Sequence, residues 1–201
     1  MRRAVFLDRD GTINEERQYL CRVEDFHFIG GAVEAIRLLR GKGFLVVVVT
    51  NQSGIGRGYY AEDDLHALHR HMHAELERQG TGVDACYFCP HHPTHGQGSY
   101  AVDCACRKPL PGMLLQAASE LGIDLASSWM IGDKSADVEA GLAAGCRAML
   151  VKTGYGAGEA GYLPPGIRVV DDLLAAARAI IEENQHAADE LVQLKGEFNA
   201  D

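Results

Sequence analysis

Two aspartates, Asp8 and Asp10, follow the apolar run Ala4 to Leu7 and lead directly into Gly11-Thr12. A short run of this kind reads as a strand buried on both faces. In extended backbone, residues two apart share a face. Both carboxylates therefore look into one crevice beyond the strand's carboxyl end, where open α/β sheets bind ligands. Anionic groups held that close need a compensating cation, or one of them must keep a proton. A divalent metal and a phosphate ester put both conditions to use, with one acid attacking while the other holds a proton. A calcium loop does not fit. It needs further acceptors at alternating positions and a closing glutamate, whereas Thr12 and Asn14 follow and no apolar helix precedes.

Further groups suited to the same chemistry lie at the ends of other apolar runs. Phe44 to Val49 ends in Thr50-Asn51-Gln52-Ser53 and then a glycine-rich stretch, Gly54 to Gly58. Such a loop exposes backbone N–H groups, which suits an anion. Trp129 to Ile131 ends in Gly132-Asp133-Lys134-Ser135-Ala136-Asp137. Between them come Cys89-x-His91, with His92 as an alternative ligand, and Cys104-x-Cys106. A Cys₃His group is a closed tetrahedral zinc set. Each pair is closer than the usual two-residue gap, so a zinc-finger template does not apply. Zinc here would pin the loop 89–108 and aim its far end, Arg107-Lys108, at the crevice. His69 and His73 stand i, i+4 in a helical stretch, but no carboxylate motif accompanies them, and they read as packing or solvated residues.

The elements that must position these groups alternate along the chain. Strands are expected at Ala4 to Leu7, Phe44 to Val49, Val83 to Phe88, Trp129 to Ile131 and Ala148 to Val151, with a short edge strand at Ile167 to Val170. Helical spacing marks Val33 to Leu39, Glu62 to Gln79, Pro111 to Leu121, Val138 to Ala144 and Leu173 to Ile181. Strand and helix alternate throughout, which argues for a single Rossmann-like α/β domain, a parallel sheet with helices on both faces. Residues 1–184 would form it, with 185–201 as a C-terminal tail. No insert of domain size separates the motifs, so the cap is minimal and the zinc-pinned loop shapes the entrance.

The chain has 201 residues, 47% of them hydrophobic and 23% charged, with a formal net charge of -9. That balance argues against nucleic acid or an anionic membrane as a partner. No run approaches the roughly 20 apolar residues of a membrane span. Too few apolar residues follow Met1-Arg2-Arg3 for the core of a signal peptide. The reading is a cytoplasmic monomer whose six cysteines are not paired as disulfides.

Asp8-Arg9-Asp10-Gly11-Thr12, Thr50-Asn51-Gln52-Ser53, Lys108-Pro109 and Gly132-Asp133-x3-Asp137, in that order, resemble the four motifs of the haloacid dehalogenase superfamily. The likeness spans roughly residues 4 to 155. It implies that Asp8 is the nucleophile and Asp10 the general acid and base. Mg²⁺ would lie among Asp8, the Asp10 carbonyl and Asp133, while Thr50 and Lys108 neutralise the transferring group. Asp137 would orient Lys108 or a backbone group. Cys-Pro-His-His-Pro and Cys-x-Cys-Arg-Lys-Pro, with Thr-Asn-Gln-Ser-Gly-Ile-x-Arg-Gly, resemble the heptose bisphosphate phosphatases, whose relatives, the histidinol-phosphate phosphatases, share the zinc loop. That match favours Cys89, His91, Cys104 and Cys106 as the Zn²⁺ ligands. It implies a small phosphorylated sugar as substrate, contacted by Glu16, Arg17, Gln18, Tyr19, Asn51, Gln52, Ser53, Arg107 and Lys134. The alternatives are a histidinol-phosphate phosphatase, a polynucleotide 3′-phosphatase and an inactive zinc-stabilised binding module.

Overall fold

The structure is a computed structural model that describes the backbone of residues 2–198 and the side chains of residues 2–186. Its strands are β1 (Ala4–Leu7), β2 (Leu45–Asn51), β3 (Ala85–Cys89), β4 (Trp129–Gly132), β5 (Arg147–Val151) and β6 (Arg168–Val170). They form one sheet in the order β3-β2-β1-β4-β5-β6, and every pairing is parallel. The order reverses between β1 and β4, which opens a crevice at the carboxyl ends of those strands. Leu7 pairs with Val48 on one side and Ile131 on the other. Asp8, Thr50 and Asp133 therefore reach the same edge of the sheet from three adjacent strands.

The helices are α1 (Ala32–Gly41), α2 (Ser53–Gly56), α3 (Glu62–Arg78), α4 (Gly112–Leu121), α5 (Ser135–Ala143), α6 (Gly156–Glu159) and α7 (Leu173–Phe198). Alternate strand residues feed two cores. Val5, Leu7, Val46, Val48 and Ile131 pack with side chains of α1, α3 and α7. Ala4, Phe6, Val47, Val49 and Met130 pack with side chains of α4 and α5. The strands read as unbroken apolar runs because both faces are covered. Ile36, Leu39, Leu68, Met72 and Leu76 are fully buried. At roughly 2 kcal/mol each, that layer alone is comparable with the about 5–15 kcal/mol net stability of a domain. The crevice therefore cannot outlive the loss of that layer.

Some element ends differ from those the periodicity predicts. β2 runs on to Asn51, because its last residues pair with Phe88 and Cys89 of β3. The expected glycine-rich loop begins with the single helical turn α2, anchored by buried Ile55. α5 starts at Ser135 rather than Val138, because Asp137 Oδ2 accepts the Lys134 N–H at 3.0 Å and caps the helix. The final helix extends well past Ile181. Its docked part buries Leu173, Ala176, Ala177 and Ile180, and Glu183 accepts from Arg147 and Arg168. Of the expected tail, 185–198 continues this helix, and 199–201 lie outside the described residues. Among the described residues, no helix is long and apolar enough to cross a membrane.

Candidate active site

Asp8 lies one residue past β1, and its N–H donates to the Ile131 carbonyl at 2.9 Å. Its Oδ1 accepts from Arg9 N at 2.8 Å and pairs with Lys108 Nζ at 3.0 Å. Lys108 is itself buried, and its ammonium also meets Asp137 Oδ1 at 2.6 Å and the Val49 carbonyl at 2.7 Å. Burial alone would favour the neutral amine, but Asp137 and then Asp8 outweigh it and hold the Lys108 pKa above its ordinary value. Asp137 thus serves both expected purposes, binding Lys108 with one oxygen and capping α5 with the other.

Asp133 lies beneath this group, fully buried. Its Oδ2 accepts the Tyr155 N–H at 2.8 Å, while its Oδ1 is buried without a partner. Burial, then the charge of Asp8, pushes its carboxyl up to about 7. A buried oxygen left unsatisfied calls for an explanation. Asp8, Asp133 and Asp137 each offer one oxygen, all within 4.8 Å of one another. With Asp137 already engaged by Lys108 and the Lys134 N–H, the Asp8 carboxylate and the unpartnered Asp133 oxygen are left to face a hard dication such as Mg²⁺. The chain makes room for the Asp133 carboxylate through Gly11, at φ +81°, where a Cβ would lie 2.2 Å from Asp133 Oδ2.

Asp10 faces the crevice within a ring of donors. Its oxygens accept from Arg9 at 2.8–3.2 Å, from Asn14 Nδ2 at 2.9 Å and from Gln52 Nε2 at 2.9 Å. Burial would raise its pKa, but the Arg9 guanidinium and the amides of Asn14 and Gln52 outweigh this and hold the carboxyl below the usual range. Arg9 is fully buried. The motif spacing did not single it out, since it stands between two residues that did.

The crevice above these groups has a volume of about 610 Å³ and is lined by Glu16, Gln18, Tyr19, Thr50, Asn51, Gln52, Ser53, Arg107 and Lys134, with Asp8, Asp10 and Lys108 on its floor. Most of the residues expected to meet substrate are therefore brought together. Arg17 is not among them; it pairs with Glu15 at 2.6 Å on the far side of the flap. Asn51 and Gln52 reach the crevice but are already engaged. Asn51 Nδ2 donates to the Lys108 carbonyl at 3.0 Å, and its Oδ1 accepts Lys108 N at 3.1 Å. The flap 16–19 carries Gln18 and Tyr19 at φ +48° and +65°, a conformation that costs side-chain-bearing residues about 1–3 kcal/mol. Glu16 Oε1 accepts the Gln18 N–H at 2.8 Å, and its Oε2 lies 3.6 Å from Lys134 Nζ. The Lys134 ammonium stands 4.7 Å from the centre of the Tyr155 ring. Tyr60 and Tyr155 also line the crevice, and no spacing signal marked either.

At the crevice's rim, Cys89, His91, Cys104 and Cys106 offer ligand atoms within 4.8 Å of one another. Their Sγ–Sγ separations are 3.5 and 3.2 Å, and His91 Nδ1 lies 3.7 and 3.4 Å from Cys89 and Cys106. A tetrahedral zinc with bonds of about 2.0–2.3 Å sets ligands at roughly such separations. Burial, then the neighbouring Cys106 sulfur, pushes the Cys89 thiol well up, which a dication would reverse. His92 turns away and accepts the N–H groups of Thr94 and His95. His69 is buried near the Phe88 ring, and His73 Nε2 lies 3.7 Å from Cys86 Sγ. Among the described residues neither belongs to a cluster able to hold a metal.

A Rossmann-type sheet with an aspartate pair, a buried lysine and a further aspartate at its switch point defines a phosphatase of the haloacid dehalogenase superfamily. A family model described as HAD-hydrolase-like matches residues 105–176. The D-glycero-β-D-manno-heptose-1,7-bisphosphate 7-phosphatase of Pasteurella multocida is 50% identical over 155 residues, 77% of this chain and 84% of that one. The α-anomer enzyme of Burkholderia mallei is 47% identical over 143 residues, 71% of this chain and 76% of that one. The crystal structure of the D,D-heptose 1,7-bisphosphate phosphatase of B. bronchiseptica, complexed with magnesium and phosphate, superposes with a TM-score of 0.81 at 38% identity. It covers 90% of this chain and 99% of that one. The chain belongs to the heptose bisphosphate phosphatase family of phosphoric monoester hydrolases.

Proposed function

We propose that the protein removes the 7-phosphate of D-glycero-D-manno-heptose 1,7-bisphosphate through an aspartyl-phosphate, a step toward nucleotide-activated heptose for surface polysaccharide. The observation that carries the proposal is the contact of Lys108 with Asp8 at 3.0 Å beneath a crevice lined by Arg107 and Lys134. The ammonium pairs with Asp8 Oδ1 and fixes the carboxylate that would attack. The Asp8 carboxylate forms a bond to phosphorus as the bond to the sugar oxygen breaks, and Asp10, ionised before substrate enters and protonated once the phosphate's negative charge lies beside it, supplies the proton that oxygen needs. Asp10 then takes a proton from water, whose attack releases phosphate and restores Asp8. Thr50 and Lys108 offset charge on the equatorial oxygens. A bisphosphate needs a second anion site, and the Arg107 guanidinium, fixed by its bond to the His91 carbonyl at 3.2 Å, offers a fork that matches phosphate. Residues 1–184 form the catalytic unit, and α7 runs on past it to Phe198. We take the protein to be a cytoplasmic monomer with no nucleic-acid or membrane partner.

The test is kcat/KM on both anomers of the heptose bisphosphate, on histidinol phosphate and on a 3′-phosphorylated oligonucleotide. A preference of at least about tenfold, or 1.4 kcal/mol, for a heptose bisphosphate is expected. The reverse preference for histidinol phosphate would overturn the assignment, as would turnover of the oligonucleotide.

Asp8, Asp133 and the Asp10 carbonyl would hold Mg²⁺, which would act as a Lewis acid on the phosphoryl oxygens. Asp133, with its carboxyl pushed up to about 7, carries a proton at pH 6 in the metal-free protein. Its folded pKa exceeds the unfolded one, so metal-free stability falls as pH rises from about 4 to 7. Mg²⁺ binding at pH 6 is expected to release close to one proton and to remove that slope. Calorimetric titration in two buffers of different ionisation enthalpy checks this; metal binding without proton release would contradict it.

Cys89, His91, Cys104 and Cys106 would hold one structural Zn²⁺. The loop they close docks on α2 and the start of α3. Gln97 N donates to the Gly56 carbonyl at 2.8 Å, and Tyr100 donates to Glu62 at 2.9 Å, while the loop's far end carries Arg107 and Lys108. Metal analysis is expected to find one zinc per chain. The Cys104→Ser, Cys106→Ser double variant should lose it, together with at least about tenfold in kcat/KM. A fully active, zinc-free double variant would refute the structural role.

A further inference from the structure

Tyr60 lies outside every motif, yet it lines the crevice and ends a directed chain of hydrogen bonds. Its hydroxyl donates to Gln52 Oε1 at 2.5 Å. Gln52 Nε2 donates in turn to Asp10 Oδ2 and to Thr50 Oγ1, both at 2.9 Å. Gln52 itself is buried, so its amide has little else to meet. We infer that Tyr60 is a positioning residue for phosphoryl transfer, acting through Gln52 on Asp10 and Thr50.

The direction of the chain follows from the groups in it. A primary amide has one accepting end and one donating end. Asp10, ionised before substrate enters, offers only acceptors to the amide there, and the Thr50 oxygen is an acceptor with a rotatable proton. The amide nitrogen must face both, which turns Oε1 toward Tyr60. The Tyr60 hydroxyl then completes the arrangement as a donor. A reversed amide would set Oε1 against the Asp10 carboxylate. With its lone pair occupied by Gln52, the Thr50 hydroxyl is left to point its proton elsewhere, and the crevice is where an anion would receive it. The aromatic ring has a second anchor. A Cβ on Gly54 would lie 2.2 Å from Tyr60 Cε1, so the ring is packed hard against α2 and its hydroxyl is held in place. Burial pushes the Tyr60 phenol well above its usual pKa, which keeps it a donor at any working pH.

This inference rests on the reading of Asp10 as the acid that protonates the leaving oxygen. Tyr60→Phe keeps the ring and removes only the hydroxyl. On heptose 1,7-bisphosphate, whose leaving alkoxide needs a proton, kcat is expected to fall about tenfold, a part of the 10²–10⁴ that general acid catalysis supplies, with KM within about twofold of the parent. On p-nitrophenyl phosphate, whose leaving group departs without a proton, the loss should be smaller than on the sugar ester, what remains coming through Thr50 and the water-attack step that both esters share. Gln52→Leu should show the same pattern, and Tyr60→Phe should add nothing in that background, as residues acting in series are not additive. Equal losses on the two esters, losses confined to KM, or additive effects of the two substitutions would overturn the inference. A parent enzyme inactive on both esters would instead overturn the reading of the site, and the inference with it.

Discussion

Asp8→Asn is expected to reduce kcat by on the order of 10⁶-fold, the scale seen when a covalent nucleophile is removed, and to leave no base-labile phosphoenzyme after a rapid acid quench. The amide is close in shape to the carboxylate, so the crevice should survive. Lys108 loses one anionic partner but keeps Asp137 at 2.6 Å and the Val49 carbonyl at 2.7 Å. What disappears is the charge that attacks phosphorus. Single-turnover kinetics and quench labelling separate the covalent route from direct attack by water. In direct attack Asp8 would only bind metal, and its amide would retain a good part of the rate. Turnover within about a hundredfold of the parent would rule out the aspartyl-phosphate.

Lys108→Met should be costly twice over. Loss of a cation aimed at the transferring group is worth about 3–4 kcal/mol of barrier, or roughly 10²–10³ in rate, by the magnitudes found for comparable donors. The second cost is to the fold. Lys108 lies 3.0 Å from Asp8 and 2.6 Å from Asp137, and all three side chains are buried. Methionine has the right length but leaves two carboxylates facing each other without a cation, and breaking a buried pair in this way costs about 3–5 kcal/mol. The pH dependence has a definite sign. Burial already holds the Asp137 carboxyl above its ordinary value, with Lys108 offsetting this only in part; without the ammonium it rises further, so the destabilisation is greatest at neutral pH and eases as pH falls and that carboxyl is protonated. Thermal unfolding of the variant across pH 5 to 8 checks this, and Mg²⁺ should recover part of the loss. Parent-like stability at pH 7.5 would mean that the ammonium does not hold the cluster together.

The two substitutions probe different parts of one arrangement. Asp8 is positioned by β1, at the centre of the sheet, whereas Lys108 arrives on a loop 57 residues downstream of Asn51, whose amide grips its backbone on both sides. The loop is closed at its base by Cys89, His91, Cys104 and Cys106. The rigid element thus carries the proposed nucleophile, and the loop closed by the cysteine–histidine set carries the charge that steadies it.

The sequence alone determined which residues stand at strand ends and that the sheet is parallel. A buried strand writes itself as a continuous apolar run, and the first polar residue after it must face the crevice. Asp8, Thr50 and Asp133 were legible for that reason, and the cysteine set because its chemistry is local. Only the tertiary structure decided how the neighbours of those residues are used. Asn51 is taken up by Lys108 and Gln52 by Asp10 and Tyr60, Arg17 faces away, and His91 rather than His92 turns to the thiols. Each of these outcomes depends on which polar group arrives from a distant part of the chain to offer a donor or an acceptor. Periodicity carries no record of such partners, because hydrogen bonds are chosen in space after the apolar faces have fixed where the elements lie.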